Sequence, residues 1–152
     1  MLDLRYVAGL FDGEGYIGIR RWTRKDTPCV SYVLFGGINM TYRPIVEELH
    51  RQFGGGFYIN RHDLRKATHR AVYHWAVGNQ ICARFLRQIV PYTIVKGEEI
   101  AIALELQASI DLWKFKLGNH SRFHPERDRV LADRERLCLK ISELKHLTFP
   151  TA

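Results

Sequence analysis

The sequence predicts an α+β domain whose elements run αββαββα, with a helical extension at the C-terminus. Three observations lead there. Apolar residues recur at helical spacing in segments 4–12 and 42–53, each followed by a pair of strand-like stretches, so a helix–hairpin unit occurs twice in succession. The chain has 152 residues, of which 46% are hydrophobic, enough for one compact core and too few for two ordinary domains. No linker or low-complexity tract divides residues 1–152, which read as a single domain.

The elements follow in order. Asp3 is placed to cap a helix over residues 4–12, with Leu4, Val7 and Phe11 on one face, and Gly13 and Gly15 stop it. From Tyr16, "YIGIRRWTRK" alternates apolar and basic residues; "DTP" turns the chain and "CVSYVLFGGIN" returns it as a second strand. Thr41 caps a second helix, "YRPIVEELHRQF", with Ile45, Leu49 and Phe53 at helical spacing, and "GGG" at 54–56 ends it. "FYINRH" and "THRAVYHWAV" make a second hairpin around "DLRKA". Asn79 caps a third helix through Ile89, closed by Pro91. A fourth helix spans residues 96–112, and "KFKLGNHSRFH" reads as a loop. Pro125 opens a last helix striped by Val130, Leu137, Ile141 and Leu144.

The formal charge of +7 calls for a polyanionic partner, nucleic acid before an acidic membrane surface. The excess is concentrated: windows 16–25 and 61–70 hold eight Lys/Arg against one Asp. Cys29, Cys82 and Cys138 fit neither a zinc pattern nor an even disulfide framework, which points to a reducing, intracellular setting. No stretch has the layout of a signal peptide or the length of a membrane span, so no membrane partner is expected. His120 and His124 lack the companion ligands of a zinc site and read as loop residues.

Chemistry converges on "GLFDGEGYIGI". Gly13, Gly15 and Gly18 satisfy G-x-G-x-x-G, the spacing of a dinucleotide loop. That loop needs a strand before the glycines and a helix after them, so that pyrophosphate rests on a helix N-terminus. Here the order is reversed, and a helix C-terminus repels phosphate. No nucleotide cofactor is therefore expected. A cation suits the same geometry: free carbonyls end the helix and Glu14 adds a carboxylate, oxygen donors of the kind Mg²⁺ takes.

The longer window "VAGLFDGEG" resembles the signature of the LAGLIDADG homing endonucleases, matching it at Ala8, Gly9, Leu10, Asp12 and Gly15. Gly13 stands for alanine, and Glu14 for the final aspartate. The element order, "FGGGFYI" and "IVPYTIVK" extend the resemblance over a core of about residues 3–113, leaving about 114–147 as an extension. The resemblance implies a Mg²⁺-dependent site-specific DNA endonuclease, with Mn²⁺ as a substitute ion. A single motif implies a homodimer, because the chemistry needs two acids from two motif helices. Ala8, Gly9, Asp12 and Gly13 would line the helix–helix interface. Glu14 would ligate metal, with the Gly13 carbonyl as an added ligand. Lys96 would stand near the scissile phosphate, and Asn39, at the end of the second strand, would position water. A non-cleaving relative, an intron RNA maturase or DNA-binding regulator, is the alternative, as is pairing with a different motif-bearing subunit.

The resemblance also implies that four antiparallel strands form a concave saddle against double-stranded DNA. Alternation along the strands then selects the DNA-facing residues. In the first strand Gly18, Arg20, Trp22 and Arg24 share a parity opposite Ile17 and Ile19. In the second, Ser31, Val33, Phe35 and Gly37 oppose Tyr32, Leu34 and Ile38. In the last, Arg70 and His74 oppose Tyr73, Trp75 and Val77, and Arg61 joins them. Arg is the side chain of choice for guanine edges and phosphates.

Overall fold

The computed structural model describes residues 1–23, 29–59, 70–117 and 124–147, the side chains of 115–117 and 146–147 excepted. The chain forms helix α1 (Leu4–Glu14), strands β1 (Gly15–Thr23) and β2 (Val30–Met40), helix α2 (Arg43–Phe53), strands β3 (Gly56–Ile59) and β4 (Tyr73–Gly78), and helices α3 (Asn79–Ile89), α4 (Gly97–Leu117) and α5 (Arg127–Leu147). A single 3-10 turn, Val90–Tyr92, follows α3. The expected αββαββα order and the helical extension are both present.

Local rules account for most boundaries. The Asp3 carboxylate accepts from the N–H groups of Arg5 and Tyr6 and starts α1. The helix runs through Gly13 and Glu14 instead of stopping at Asp12; Gly15 ends it, its N–H still reaching the Phe11 carbonyl. Two expected caps are not formed. The residue before α2 is Tyr42, with no side-chain bond, in place of Thr41. Gly78 precedes α3 in extended conformation, and Asn79 is its first residue with φ of 46°, a left-handed value that Asn tolerates. β4 begins at Tyr73, which leaves Arg70 ahead of the strand. α4 continues to Leu117 because nothing in "WKFKL" breaks a helix before Gly118.

The four strands form one antiparallel sheet in the order β1-β2-β4-β3, so the two hairpins join through β2 and β4 at its centre. Parity then separates the faces. Ile17, Ile19, Tyr32, Leu34, Ile38, Trp75 and Val77 point to the helices and are buried. Phe85 on α3 collects the aromatic core edge-to-face, with ring centroids 4.8 Å from Trp75, 5.0 Å from Phe53 and 5.3 Å from Phe11. The Trp75 indole donates to the Gly54 carbonyl at 2.7 Å, within the glycine turn where Gly54 and Gly55 take φ of 76° and 90°.

α5 closes the outer edge of β1. Leu137 and Ile141 enter the core. The Cys138 thiol faces the Ile19 carbonyl at 3.5 Å, the Lys145 ammonium donates to the Ile17 carbonyl, and Glu135 pairs with Arg21 at 3.3 Å and accepts from the Tyr32 hydroxyl. An edge strand covered this way offers few free groups to another sheet. The last helix is thus part of the folded unit. No helix among the described residues is long and apolar enough to cross a membrane.

Two predictions follow from the packing. A Cβ on Gly37 would meet the Tyr16 hydroxyl at 2.7 Å and press on the Trp75 carbonyl, so Gly37→Ala should lower unfolding stability by about 1–3 kcal/mol in urea titration. Burial pushes the Cys82 thiol up to about 12, so it remains protonated at pH 8 and should resist iodoacetamide until the protein is unfolded, as peptide mass mapping would read.

Candidate functional site

The end of α1 meets the start of α4. Past Phe11, the carbonyls of the last helical turn have no intrahelical donor left. Lys96 supplies one, its ammonium donating to the Asp12 carbonyl at 2.6 Å, where the helix end favours a cation. The Asp12 carboxylate reaches the other way. It accepts from the N–H groups of Ile94 at 2.7 Å, Val95 at 3.2 Å and Lys96 at 3.0 Å, the free donors just before α4. One acid and one lysine thus lock the two helix ends together. Asp12 spends its carboxylate inside the chain.

Glu14 is the last residue of α1 and is exposed. Its carboxylate enters no hydrogen bond or ion pair among the described residues. Gly13, beside it, is exposed too. A carboxylate with neighbouring peptide carbonyls is a hard oxygen donor set of the kind Mg²⁺ accepts. Among the described residues no three His, Cys, Asp or Glu side chains converge on one point.

The outer face of α1 is bare. Tyr6, Gly9 and Gly13 are exposed, and a Cβ on either glycine would touch nothing within 4 Å. Ile94 and Val95, pinned by Asp12, are 91% and 67% exposed. Ala8 corrects an expectation: it lies in the chain's own core with Val7 and Phe11, because it sits about 100° round the helix from Gly9.

The open face of the sheet carries some of the residues that alternation selected, and others besides. Arg20 and Trp22 are exposed on β1, Arg20 with its guanidinium 5.0 Å from the Phe35 ring. Ser31, paired with Trp22 in register, donates to the Trp22 carbonyl at 3.4 Å. Gly18 shares this face but is covered by Phe35. Arg70 is exposed but lies before β4, so no strand parity orients it. Arg24 and Arg61 lie outside the described residues, as does His120. His124 packs edge-on against Trp113 and accepts from the Glu126 N–H at 3.2 Å, a local role at the start of α5.

Asn39 and His74 are register partners, with Asn39 Oδ1 2.8 Å from His74 Nδ1. The His74 ring stacks on Tyr58, 4.9 Å between centroids and 1° from parallel. Sequence reasoning did not single out Tyr16 or Tyr58. Tyr16 was accessible by extending the parity of Gly18, Arg20 and Trp22 two residues back; β3 is too short for its parity to be read. Burial first, then the neighbouring Tyr58 hydroxyl, raise the Tyr16 phenol above its ordinary value.

If Asp12 is the clamp between α1 and α4, Asp12→Ala should free the amides of residues 94–96 to hydrogen exchange and cost about 1–3 kcal/mol in stability, with Asp12→Asn intermediate.

No family model matches the sequence, and no curated protein matches it. Solved structures do match the fold. The homing endonuclease I-CvuI, in complex with the I-CreI target in the presence of Mg with the DNA not cleaved, is 16% identical with a TM-score of 0.68, over 93% of this chain and 80% of that one. The archaeal intron-encoded homing endonuclease I-Vdi141I, complexed with DNA, is 18% identical with a TM-score of 0.68, over 92% and 82%. The LAGLIDADG homing endonuclease I-GzeII, in complex with its DNA target, is 15% identical with a TM-score of 0.66, over 90% of this chain and 44% of that one. The helices and four-stranded sheet thus have the LAGLIDADG homing endonuclease fold.

Proposed function

We propose that the protein is a sequence-specific DNA endonuclease that acts as a homodimer and cuts both strands of a long, near-palindromic site with Mg²⁺ as cofactor. The observation that carries this reading is the Glu14 carboxylate at the end of the motif helix, without a partner among the described residues, beside a lysine held at the same helix end.

The bare face of α1 supports the homodimer. Gly9 and Gly13 leave room for another backbone at close range, and exposed Tyr6, Ile94 and Val95 flank them with apolar surface that a second copy would cover. A two-fold axis along that face would bring two Glu14 carboxylates together, completing from two chains the acidic site that one chain holds in half.

Each residue then has a role its position allows. Glu14 and the Gly13 carbonyl would hold the metal ion. The bound ion supplies an acidified water and charge neutralisation at the phosphate. Lys96 would place its ammonium beside the α1 end, where charge would build on phosphate oxygens in the transition state. Arg20 and Trp22 would contact DNA backbone and base edges from the open face. A non-cleaving maturase or regulator would have little need for an acid that repels phosphate unless a cation lies between them.

The test is a randomised duplex library incubated with the protein in Mg²⁺ or EDTA, with the cut ends sequenced. Metal-dependent cuts at one near-symmetric sequence are expected; intact DNA with retained binding would shift the assignment to the non-cleaving relatives. On the recovered site, Glu14→Gln should abolish cleavage while leaving the Kd in Ca²⁺ unchanged. Cleavage by this variant at the wild-type rate would remove Glu14 from the mechanism.

A further inference from the structure

His74 has the parity of a DNA-facing residue, yet its Nδ1 is engaged within the sheet and its Nε2 is buried. Its Nδ1 lies 2.8 Å from Asn39 Oδ1, its ring face is covered by Tyr58, and its Nε2 is buried with no partner among the described residues. The ring is held by one face and one nitrogen. The Asn39 oxygen can only accept, so Nδ1 carries the proton of that bond. With its oxygen occupied, the Asn39 amide cannot rotate freely, and its NH₂ group is turned away from His74.

Register tells where this matters. Gly15 pairs with Ile38, so Asn39 is the next residue of β2 alongside the junction where Glu14 ends α1. An NH₂ group held there can donate to a phosphate oxygen or to the water that attacks it, and a preoriented donor does so without reorganising.

We infer that His74 is a positioning residue: its Nδ1–H fixes the Asn39 side-chain amide so that the NH₂ donors face the cleavage site at the end of α1. The inference rests on the endonuclease reading for its functional consequence. It assigns His74 an effect on the rate of strand cleavage and none of its own on DNA affinity. Such supporting partners commonly carry 10- to 100-fold in activity.

The test uses side chains that place one amide donor at different points. Asn puts its nitrogen where His has Nδ1, Gln where His has Nε2, and Leu has none. On the recovered target, His74→Leu and His74→Gln should each slow single-turnover cleavage at saturating enzyme by about 10-fold or more while the Kd in Ca²⁺ holds, and His74→Asn should restore the rate. In an Asn39→Ala background, His74→Leu should add no further loss, since the two residues act as one unit. A wild-type rate in His74→Leu, a loss confined to Kd, or an equal further loss in the Asn39→Ala background would each overturn the inference. Long-range proton–nitrogen spectra of the wild-type protein give a second readout that needs neither a variant nor cleavage. A proton on His74 Nδ1 is expected, and a bare Nδ1 with the proton on Nε2 would overturn the positioning geometry. Failure of the wild-type protein to cut the library would count against the endonuclease reading alone, and the nitrogen spectrum would still decide the positioning.

Discussion

The lock between Asp12 and Lys96 is the interaction on which the candidate site at the end of α1 depends. Helix α1 ends with carbonyls that need donors, and helix α4 begins with N–H groups that need acceptors. The two ends face each other, and each is served by a side chain from the other's residues: Lys96 to the Asp12 carbonyl, Asp12 to three successive amides. Opposite helix-end charges meet the side-chain charges that suit them. Glu14, two residues past the clamp, then projects from a fixed base, and Ile94 and Val95 are held exposed beside the bare glycine face of α1.

The sheet supplies the second constraint. Because β2 and β4 pair at its centre, the second strands of the two helix–hairpin units bring Asn39 and His74 side by side, although 35 residues separate them. The same alternation that buries Trp75 and Val77 behind the sheet turns His74 to the front. The aromatic cluster around Phe85 on one face and the Tyr16, Phe35, Tyr58 and His74 rings on the other are two readings of one register. α5 holds β1 in that register from outside, through groups that bond the edge carbonyls of Ile17 and Ile19.

Much of this was legible in the chain, because the rules involved are local. Asp3 as a cap, the glycine turn after α2 and the two hairpins depend on neighbours a few residues away. The motif residues Gly9, Asp12, Gly13 and Glu14 were legible as a group, since their spacing on one helix end carries the resemblance. Local rules failed where several residues compete for one role. Thr41 and Asn79 are good caps by composition, yet Tyr42 and Gly78 occupy those positions, and neither helix start has a side-chain cap. Ala8 looked like an interface residue beside Gly9, but one step along a helix is a large rotation, and the core claims it.

Sequence alone determined the element order, the sheet faces of β1 and β2, and the acid at the end of the first helix, because helical spacing, strand alternation and capping act over a few residues. Tertiary structure decided what those residues touch. That Asp12 reaches residues 94–96, that Lys96 returns to the same helix end, and that Asn39 meets His74, itself stacked on Tyr58, all depend on strand order and helix packing. Those arise only when segments far apart in the chain bury a common core, and no short-range pattern encodes which distant donor will meet which acceptor.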